Sequence, residues 1–236
     1  MDTTTIIIIA GAVLLILCLM LTVASFAGDK FFDTYKRLLN KTASCNLSVL
    51  EFIKRLNMQH LGNRVGVMYI NRFGGEFYNQ KTKVIAINRS GEKSLASFAV
   101  VAHEMGHAYQ GIVENKLKRF NIMRKFGAIV GRLFAPLIIL GIVLLFFVEN
   151  YSLVLLACGG GALFVILFAI IMKIGTIQIE KEATDKAISF LSEVLNKEDL
   201  AECKKLLKDA RLTYWSDLIK LLLGWSGLTR KTKMFS

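Results

Sequence analysis

Three residues on neighbouring turns of a predicted helix could carry out metal-dependent hydrolysis. His103 and His107 flank Glu104 in the segment AVVAHEMGHAYQ, residues 99–110. Histidines four residues apart project from one face of a helix, so both imidazoles can reach one metal ion at about 2.0–2.1 Å. The glutamate lies beside that face, where a carboxylate can act as general base on an activated water. The spacing predicts a zinc site, against the alternative of polar side chains on a solvent-facing helix.

A catalytic zinc takes a third protein ligand, and few residues of this chain can supply it. The metzincin pattern is broken, because Gln110 stands where that pattern requires glycine and Val113 where it requires histidine. Residues 116–148 contain no Asp or Glu. The four cysteines have no paired spacing, and two of them fall in long apolar runs. Glu114 is too close to the motif and Glu149 lies at the turn between two apolar runs, so the next downstream acids are those of EKEATD, residues 180–185.

The composition predicts that the protein carrying this site is a membrane protein. Of the 236 residues, 54% are hydrophobic and only one is proline. Three apolar runs are predicted to be transmembrane helices, at residues 3–28, 128–148 and 150–172, since about 20 residues span a bilayer. The last two helices would form a hairpin in the membrane. The alternative is that the same two helices are buried in the core of a soluble protein. The motif then lies in a segment at 29–127, and the acids lie in a segment at 173–236.

The distribution of basic residues predicts the orientation of these segments. Eighteen of the 30 Lys and Arg residues lie between Lys30 and Arg132, and the other twelve between Lys173 and Lys233. Basic flanks favour the cytoplasm, so the prediction is a multi-pass protein of the cell membrane with its N-terminus outside and its active site in the cytoplasm. The net charge of +12 is then explained by topology and anionic lipids. No aromatic–basic pattern indicates a nucleic-acid partner.

Residue periodicity predicts a mainly α protein with a small β element. The predicted helices are Ser48–Gln59, Lys93–Gly111, Ile177–Leu195 and Asn196–Arg211, and the predicted strands are Arg64–Asn71 and Lys83–Asn88. Ser48 is the predicted cap of the first helix. Residues 72–80 are interpreted as a turn, and residues 212–225 as an amphipathic helix at the membrane interface. Residues 1–236 are treated as a single domain.

The sequence resembles a known family of membrane peptidases. HEMGHAYQ, a following apolar hairpin and E-x-x-A-T at residues 180–184 are similar to the neutral zinc metallopeptidases of the YugP type, and more distantly to HtpX-like and prenyl-protein membrane endopeptidases. The segments YNQKTKVIAIN and KDARLTY contribute to the resemblance. It implies a gluzincin-like core in which Glu180 is the third ligand and Glu182 an outer residue. The more distant relatives carry Asp at the position of Thr184.

Chemistry and resemblance together predict a membrane-bound zinc endopeptidase. One zinc ion per chain would be held by His103, His107 and Glu180 and would activate a water for attack on a peptide bond. Glu104 would take the proton of that water and later deliver it to the leaving amine. The predicted partners are a peptide or protein substrate, in or near the membrane, and the lipid bilayer. A complex with another membrane protein and self-association both stay open.

Three further assignments concern substrate binding, the stabilisation of the oxyanion and the remaining histidine. The second predicted strand could bind an extended peptide along an unpaired edge, and the alternative is an edge strand without this role. The residues assigned to substrate binding are Val84, Ile85, Ala86, Ile87 and Asn88. Arg211 and Tyr214 are candidates for stabilising the oxyanion, and both could instead be membrane-interface anchors. The remaining histidine, His60, is interpreted as a helix-end residue and not as a ligand.

Two functions without catalysis compete with this prediction. The chain could be a membrane scaffold or chaperone-like protein that uses zinc only to hold its helices together. An acid beside the metal favours catalysis, since structural zinc is usually closed by four protein ligands. A lipid-binding module is the third class, and it depends only on the basic residues and the predicted interfacial helix.

Overall fold

The computed structural model describes residues 29–71, 76–88, 92–131, 134–144, 147–148 and 151–222. The helices in these ranges are α1 (residues 29–39), α2 (Val49–His60), α3 (Leu95–Ile112), α4 (Lys116–Gly131), α5 (Phe134–Leu144), α6 (Tyr151–Val154), α7 (Gly160–Ser192) and α8 (Lys197–Leu222). The strands are β1 (Gly66–Ile70), β2 (Phe77–Asn79) and β3 (Val84–Asn88). A π-helical turn, Leu155–Gly159, joins α6 to α7. Two compact units lie within residues 1–114 with 179–236, and within residues 115–178.

Serine residues cap the N-termini of α2 and of α3, the helix that carries the motif. The side chain of Ser48 accepts a hydrogen bond from the Glu51 N–H at 3.2 Å, and the Glu51 carboxylate accepts one from the Ser48 N–H at 2.7 Å. This capping box begins α2 and confirms the predicted cap. Ser94 accepts from the Ser97 N–H at 3.2 Å and begins α3 two residues after the predicted start.

The motif helix α3 is the core of the first unit. Fourteen of its 18 residues are buried, so its apolar side chains point in every direction and meet neighbours on all sides. Phe98 packs against Phe52 of α2 with ring centroids 5.3 Å apart. Side chains from α7 and α8 belong to the same apolar cluster, among them Phe190, Leu206 and Leu207. A helix confined in this way holds its polar residues in fixed positions.

The first unit contains a three-stranded sheet with the order β1–β3–β2. β1 and β3 are parallel and pair along their whole lengths, Gly66–Ile70 with Val84–Asn88. β2 is antiparallel to β3, with Phe77–Asn79 opposite Val84–Ala86. Both predicted strands are therefore confirmed, and β2 lies within the segment interpreted as a turn.

The central position of β3 corrects one prediction. Because β3 is paired on both sides along Val84–Ala86, it does not offer the unpaired edge that was expected to bind a peptide. The prediction was wrong because β2 was missed. A strand of three residues is held mainly by pairing with its neighbour, so its own sequence gives little signal.

Charged pairs hold α1 along α8 at the other side of the first unit. Asp209 is buried and accepts a hydrogen bond from Thr34 Oγ1 at 3.0 Å. The ion pairs follow an antiparallel order: Lys30 and Arg37 of α1 pair with Asp209 and Glu202, and Lys41, two residues after α1, pairs with Asp199. The first unit is thus built from segments near both ends of the sequence.

The second unit contains α4, α5, α6, the π-helical turn and the first part of α7. α5 approaches the π-helical turn closely, since a Cβ added to Gly141 would lie 2.9 Å from the Cβ of Cys158. The rings of Phe126 and Phe168 are 5.9 Å apart, which brings α4 to α7 within this unit. Many of its apolar side chains are exposed.

The prediction of about three transmembrane helices is wrong. Within the run at 128–148, the described residues belong to α4, described to Gly131, to α5, Phe134–Leu144, and to 147–148, and residues 132–133 and 145–146 lie outside the described residues. The run at 3–28 lies outside the described residues. Among the described residues, one helix, Ser152–Ser192, is long and apolar enough to cross a membrane, by length and composition alone.

That helix also joins two elements that were predicted separately. The run at 150–172 and the helix Ile177–Leu195 were expected to be distinct, but α7 is continuous from Gly160 to Ser192. Similarly, α8 continues to Leu222 through most of the segment predicted to be a separate interfacial helix. Residues 223–225 of that segment lie outside the described residues.

Candidate metal centre

α3 places two imidazole rings side by side. The ring centroids of His103 and His107 are 4.7 Å apart and the ring planes are nearly perpendicular, at 83°. His103 is buried and His107 is half-buried. Since their helix is packed on nearly every side, the spacing of the two rings is set by the fold of the first unit.

α7 brings a carboxylate to both rings. Glu180 Oε2 lies 3.1 Å from Nε2 of His103 and 3.2 Å from Nε2 of His107. The three potential ligand atoms all lie within 4.8 Å of one another. Two imidazole nitrogens and a carboxylate oxygen that converge in this way are a donor set that zinc uses in catalytic sites, so the residues present fit a zinc ion.

The charges of this cluster are coupled. Burial by itself would lower the pKa of His107, but the nearby Glu180 and Glu104 carboxylates outweigh it and raise that pKa to about 9. Burial by itself would raise the pKa of Glu180, but the two histidines outweigh it and hold that pKa well below its usual range. Without a metal, the carboxylate and one protonated ring therefore neutralise each other. A cation that binds here replaces a proton.

A glycine allows α3 and α7 to approach each other. A Cβ added to Gly106 would lie 2.4 Å from the carbonyl oxygen of Ala183 and 3.1 Å from its Cα. Any side chain at position 106 would push the backbone of α7 away from α3. Gly106 lies between the two histidines in the sequence, and Ala183 lies three residues after Glu180. The close approach therefore sets the distance between the ligand-bearing segments.

The motif glutamate is buried beside the histidines and is held by the sheet. Glu104 is 4% exposed, and its Oε2 accepts a hydrogen bond from the Tyr78 N–H at 2.8 Å. Burial raises the pKa of Glu104, against the lowering effect of His107 and His103. β2 thus positions the residue predicted to be the general base. The sequence did not indicate this contact, because β2 itself was not predicted.

Two buried polar groups lie on β2 and directly before it, and neither was predicted from the sequence. Glu76 is 2% exposed, and its Oε2 has no hydrogen-bond partner among the described residues. Burial raises the pKa of Glu76, and the charge of Glu104 raises it further. The hydroxyl of Tyr78 is likewise buried without a partner among the residues that the structure describes, and burial raises its pKa. Nothing in the local sequence distinguishes these residues from those of an exposed turn.

Two side chains contact the outer nitrogens of the rings. Thr184 Oγ1 lies 3.3 Å from Nδ1 of His103, and Gln110 Oε1 lies 3.0 Å from Nδ1 of His107. In the sequence, Gln110 is noticeable only because it breaks the metzincin pattern. The available signal was its position three residues after His107, which places both side chains on one face of α3.

The other predicted residues lie elsewhere in the first unit. Val84–Asn88 form the central strand, which does not fit their predicted role as an unpaired edge for a peptide. Arg211 and Tyr214 are half-buried on α8, and their assignment to the oxyanion stays a prediction. Glu182 is half-buried on α7, and its outer role stays a prediction. His60 ends α2, where its Nε2 lies 3.3 Å from Glu193 Oε1.

Comparison with known families bears out the resemblance seen in the sequence. The family model described as "Putative neutral zinc metallopeptidase" matches residues 11–226. No curated protein and no solved structure matches the chain. The family implies a zinc ion and a peptide or protein substrate. The more distant similarity to HtpX-like endopeptidases stays a prediction.

Proposed function

The chain belongs to this family of zinc metallopeptidases, and we propose that it is an endopeptidase whose active site is the cluster on α3 and α7. The observation that carries the proposal is the convergence of His103, His107 and Glu180, with the buried Glu104 beside them. Zinc would be held by the two Nε2 atoms and the Glu180 carboxylate. When bound there, it would polarise the scissile carbonyl and lower the pKa of a water molecule.

Glu104 is the group that moves protons in this proposal. Because burial raises its pKa, its carboxylate has a greater affinity for a proton than an exposed glutamate has. It would accept the proton of the attacking water and then donate it to the leaving nitrogen. The hydrogen bond from the Tyr78 N–H orients the carboxylate and leaves its second oxygen to take the proton.

We place the main chain of the substrate beside β2 and not beside β3. β3 is paired on both sides, whereas β2 has β3 on one side and presents the Tyr78 N–H to Glu104 on the other. An extended peptide that lies along this side of β2 would have its carbonyl groups next to the general base.

We also propose that the enzyme acts at a membrane, on proteins in or near the bilayer. The support is the apolar helix Ser152–Ser192, together with large apolar side chains that are exposed in the second unit. These include Phe126, Ile139, Leu140, Leu163, Phe164, Leu167 and Ile171. A patch of this kind marks a surface that contacts lipid or another protein. The orientation in the membrane stays a prediction.

The proposal is tested by Glu104→Gln, assayed for both cleavage and zinc content. Purified protein would be loaded with zinc and incubated with a mixture of quenched fluorescent peptides. We expect Glu104→Gln to retain one zinc per chain and to lose about 10²- to 10⁴-fold in cleavage rate, the usual contribution of a general base. Glu114→Gln, which removes an exposed carboxylate just beyond α3, is the matched control and should retain full activity.

The results separate catalysis from a structural use of zinc. Full cleavage by Glu104→Gln would show that another group is the base. If the wild-type protein binds zinc tightly and cleaves neither the peptides nor unfolded membrane proteins, the scaffold function is favoured instead.

A further inference from the structure

The side chain of Gln110 connects the second histidine to the segment that carries the predicted third ligand. It is 2% exposed and lies three residues after His107 on α3. Its Nε2 donates a hydrogen bond to the carbonyl oxygen of Ile179 at 2.9 Å, and its Oε1 lies 3.0 Å from Nδ1 of His107. Ile179 directly precedes Glu180. One amide group therefore contacts both ligand-bearing segments.

The backbone carbonyl determines which way the amide points. The oxygen of Ile179 can only accept a hydrogen bond, so the NH₂ group of Gln110 must face it. The amide oxygen then faces His107, and this oxygen can also only accept. It follows that Nδ1 of His107 carries a proton. In the neutral ring, the lone pair is therefore on Nε2, the atom 3.2 Å from Glu180 Oε2.

The corresponding contact of His103 does not impose a tautomer in this way. Its Nδ1 lies 3.3 Å from Thr184 Oγ1, and a hydroxyl can donate or accept. A threonine at this position is therefore compatible with either protonation state of the ring nitrogen. The constraint on His107 is the stronger of the two, because a fixed backbone acceptor defines it.

We propose that Gln110 is a positioning residue that holds His107 in the Nδ1–H tautomer and ties it to the backbone next to Glu180. This inference rests on the proposed function, since it concerns the same zinc site. The outer partners of metal-binding histidines typically contribute 10- to 100-fold to metal affinity. Gln110 acts on two ligand-bearing segments at once, so its loss should affect both the ring tautomer and the geometry of the cluster.

The test measures zinc affinity and ring protonation in the full chain, without using cleavage. Zinc dissociation constants are obtained by competition with a chromophoric chelator. The chain has three histidines, so labelling them with ¹⁵N gives a spectrum of three rings, in which the one- and two-bond couplings identify the protonated nitrogen. Metal-free protein is measured over a series of pH values, and the tautomer is identified at the alkaline end of the series, where the His107 signals no longer change with pH.

We expect Gln110→Leu to bind zinc about 10- to 100-fold more weakly and to show a mixture of His107 tautomers. Gln110→Glu should keep the Nδ1–H tautomer, because a carboxylate also accepts from this nitrogen, while it loses the donor to Ile179. Its zinc affinity should lie between those of Gln110→Leu and the wild type. If Gln110→Leu does not fold, the tautomer in the wild type and in Gln110→Glu still tests the proposal.

Asn57→Leu is the matched control. The Asn57 amide is also buried, donating to the Val65 carbonyl at 2.8 Å and accepting from the Val65 N–H at 3.1 Å, but it lies outside the metal cluster. This variant should be destabilised and should retain the zinc affinity of the wild type. Unchanged zinc affinity in Gln110→Leu, or an Nε2–H tautomer of His107 in the metal-free wild type, would overturn the proposal. Failure of the proposed function appears differently, as tight zinc binding without cleavage.

Discussion

At the scale of single residues, the site brings a carboxylate and two imidazole rings together in a largely buried position. Glu180 is a carboxylate between two imidazoles, and its charge is the main reason that the pKa of His107 rises above its ordinary value of 6.5. The same charge would attract a divalent cation. Glu180 therefore determines both the metal affinity of the cluster and its protonation without metal.

Glu180→Ala tests the predicted third ligand. We expect zinc to bind more than about 100-fold more weakly, which is the upper range for the loss of an outer residue, and the pKa of His107 to fall because its main counter-charge is gone. Metal analysis and ¹⁵N-histidine titration measure the two effects. Glu182→Ala removes a carboxylate two residues after Glu180 on α7, and it should change the zinc affinity and the pKa of His107 much less. Wild-type zinc content in Glu180→Ala would move the third ligand to another acid.

Glu76→Gln tests the burial of the carboxyl group directly before β2. The pKa of Glu76 is raised in the folded protein above its ordinary value of 4.5, so the folded state keeps a proton that the unfolded state releases. Stability therefore falls as pH rises from about 4.5 through the raised pKa, by about 1.4 kcal/mol per pKa unit. Glu76→Gln should be more stable than the wild type at pH 8, and this gain should disappear near pH 4.

Urea unfolding at several pH values measures this difference. Glu198→Gln, at a glutamate whose side chain is 83% exposed, is the control and should show little change. A wild type that stays more stable than Glu76→Gln at pH 8 would mean that Glu76 is an ionised group with a partner in solution.

Residue identity predicted the metal-binding chemistry better than it predicted the surroundings of the site. The types and spacing of His103, Glu104 and His107 are sufficient to suggest zinc, because few other chemistries use them together. Glu180 needed the family resemblance, since three acids in EKEATD were equally available. Glu76 and Gln110 became visible only when the fold placed them next to the motif. Their roles depend on contacts distant in sequence.

At the scale of elements, α3 and α7 approach each other closely at Gly106, where there is no room for a Cβ atom. We expect Gly106→Ala to destabilise the first unit by about 1–3 kcal/mol, because the added methyl group overlaps the Ala183 carbonyl. Separation of the helices should also weaken zinc binding. Urea unfolding and chelator competition measure the two effects.

Gly175→Ala on α7 is the matched control for this substitution. A Cβ there meets no atom within 4 Å, and alanine in a helix is favoured over glycine by about 0.5–1 kcal/mol. Gly175→Ala should therefore be neutral or stabilising. If Gly106→Ala is equally stable and binds zinc normally, the backbones of α3 and α7 can move apart without cost to the site.

Elements with strong local signals were predicted well, and elements defined by their neighbours were not. Ser48 and Glu51 mark the start of α2 by local hydrogen bonds, so the sequence alone predicts it. β2 has three residues and depends on β3, so it was missed. The ends of the apolar helices were also misplaced. Hydrophobic runs report the environment of a segment but not whether its helix continues into the next segment, as α7 does from Gly160 to Ser192.

At the scale of the whole molecule, the proposed membrane association depends on the exposed apolar side chains of the second unit. We expect the wild-type protein to float with phospholipid vesicles and to resist extraction by high salt and alkaline carbonate. Phe164→Asp should reduce the floating fraction, because aspartate near the centre of an apolar layer costs about 3 kcal/mol. Met58→Asp, at a similarly exposed apolar residue on α2 of the first unit, is the control and should float like the wild type. Equal flotation of both variants would remove the assigned role of α7.

The division of the chain into units also sets an order of events during synthesis. The first unit takes its helices from residues before 115 and after 178, so α3 is made long before α7 brings Glu180 to it. A nascent chain that has reached residue 178 has produced the whole second unit and both histidines, but not the carboxylate that joins them. Domains fold as their segments leave the ribosome. The predicted metal cluster is therefore complete only after the whole second unit has been synthesised.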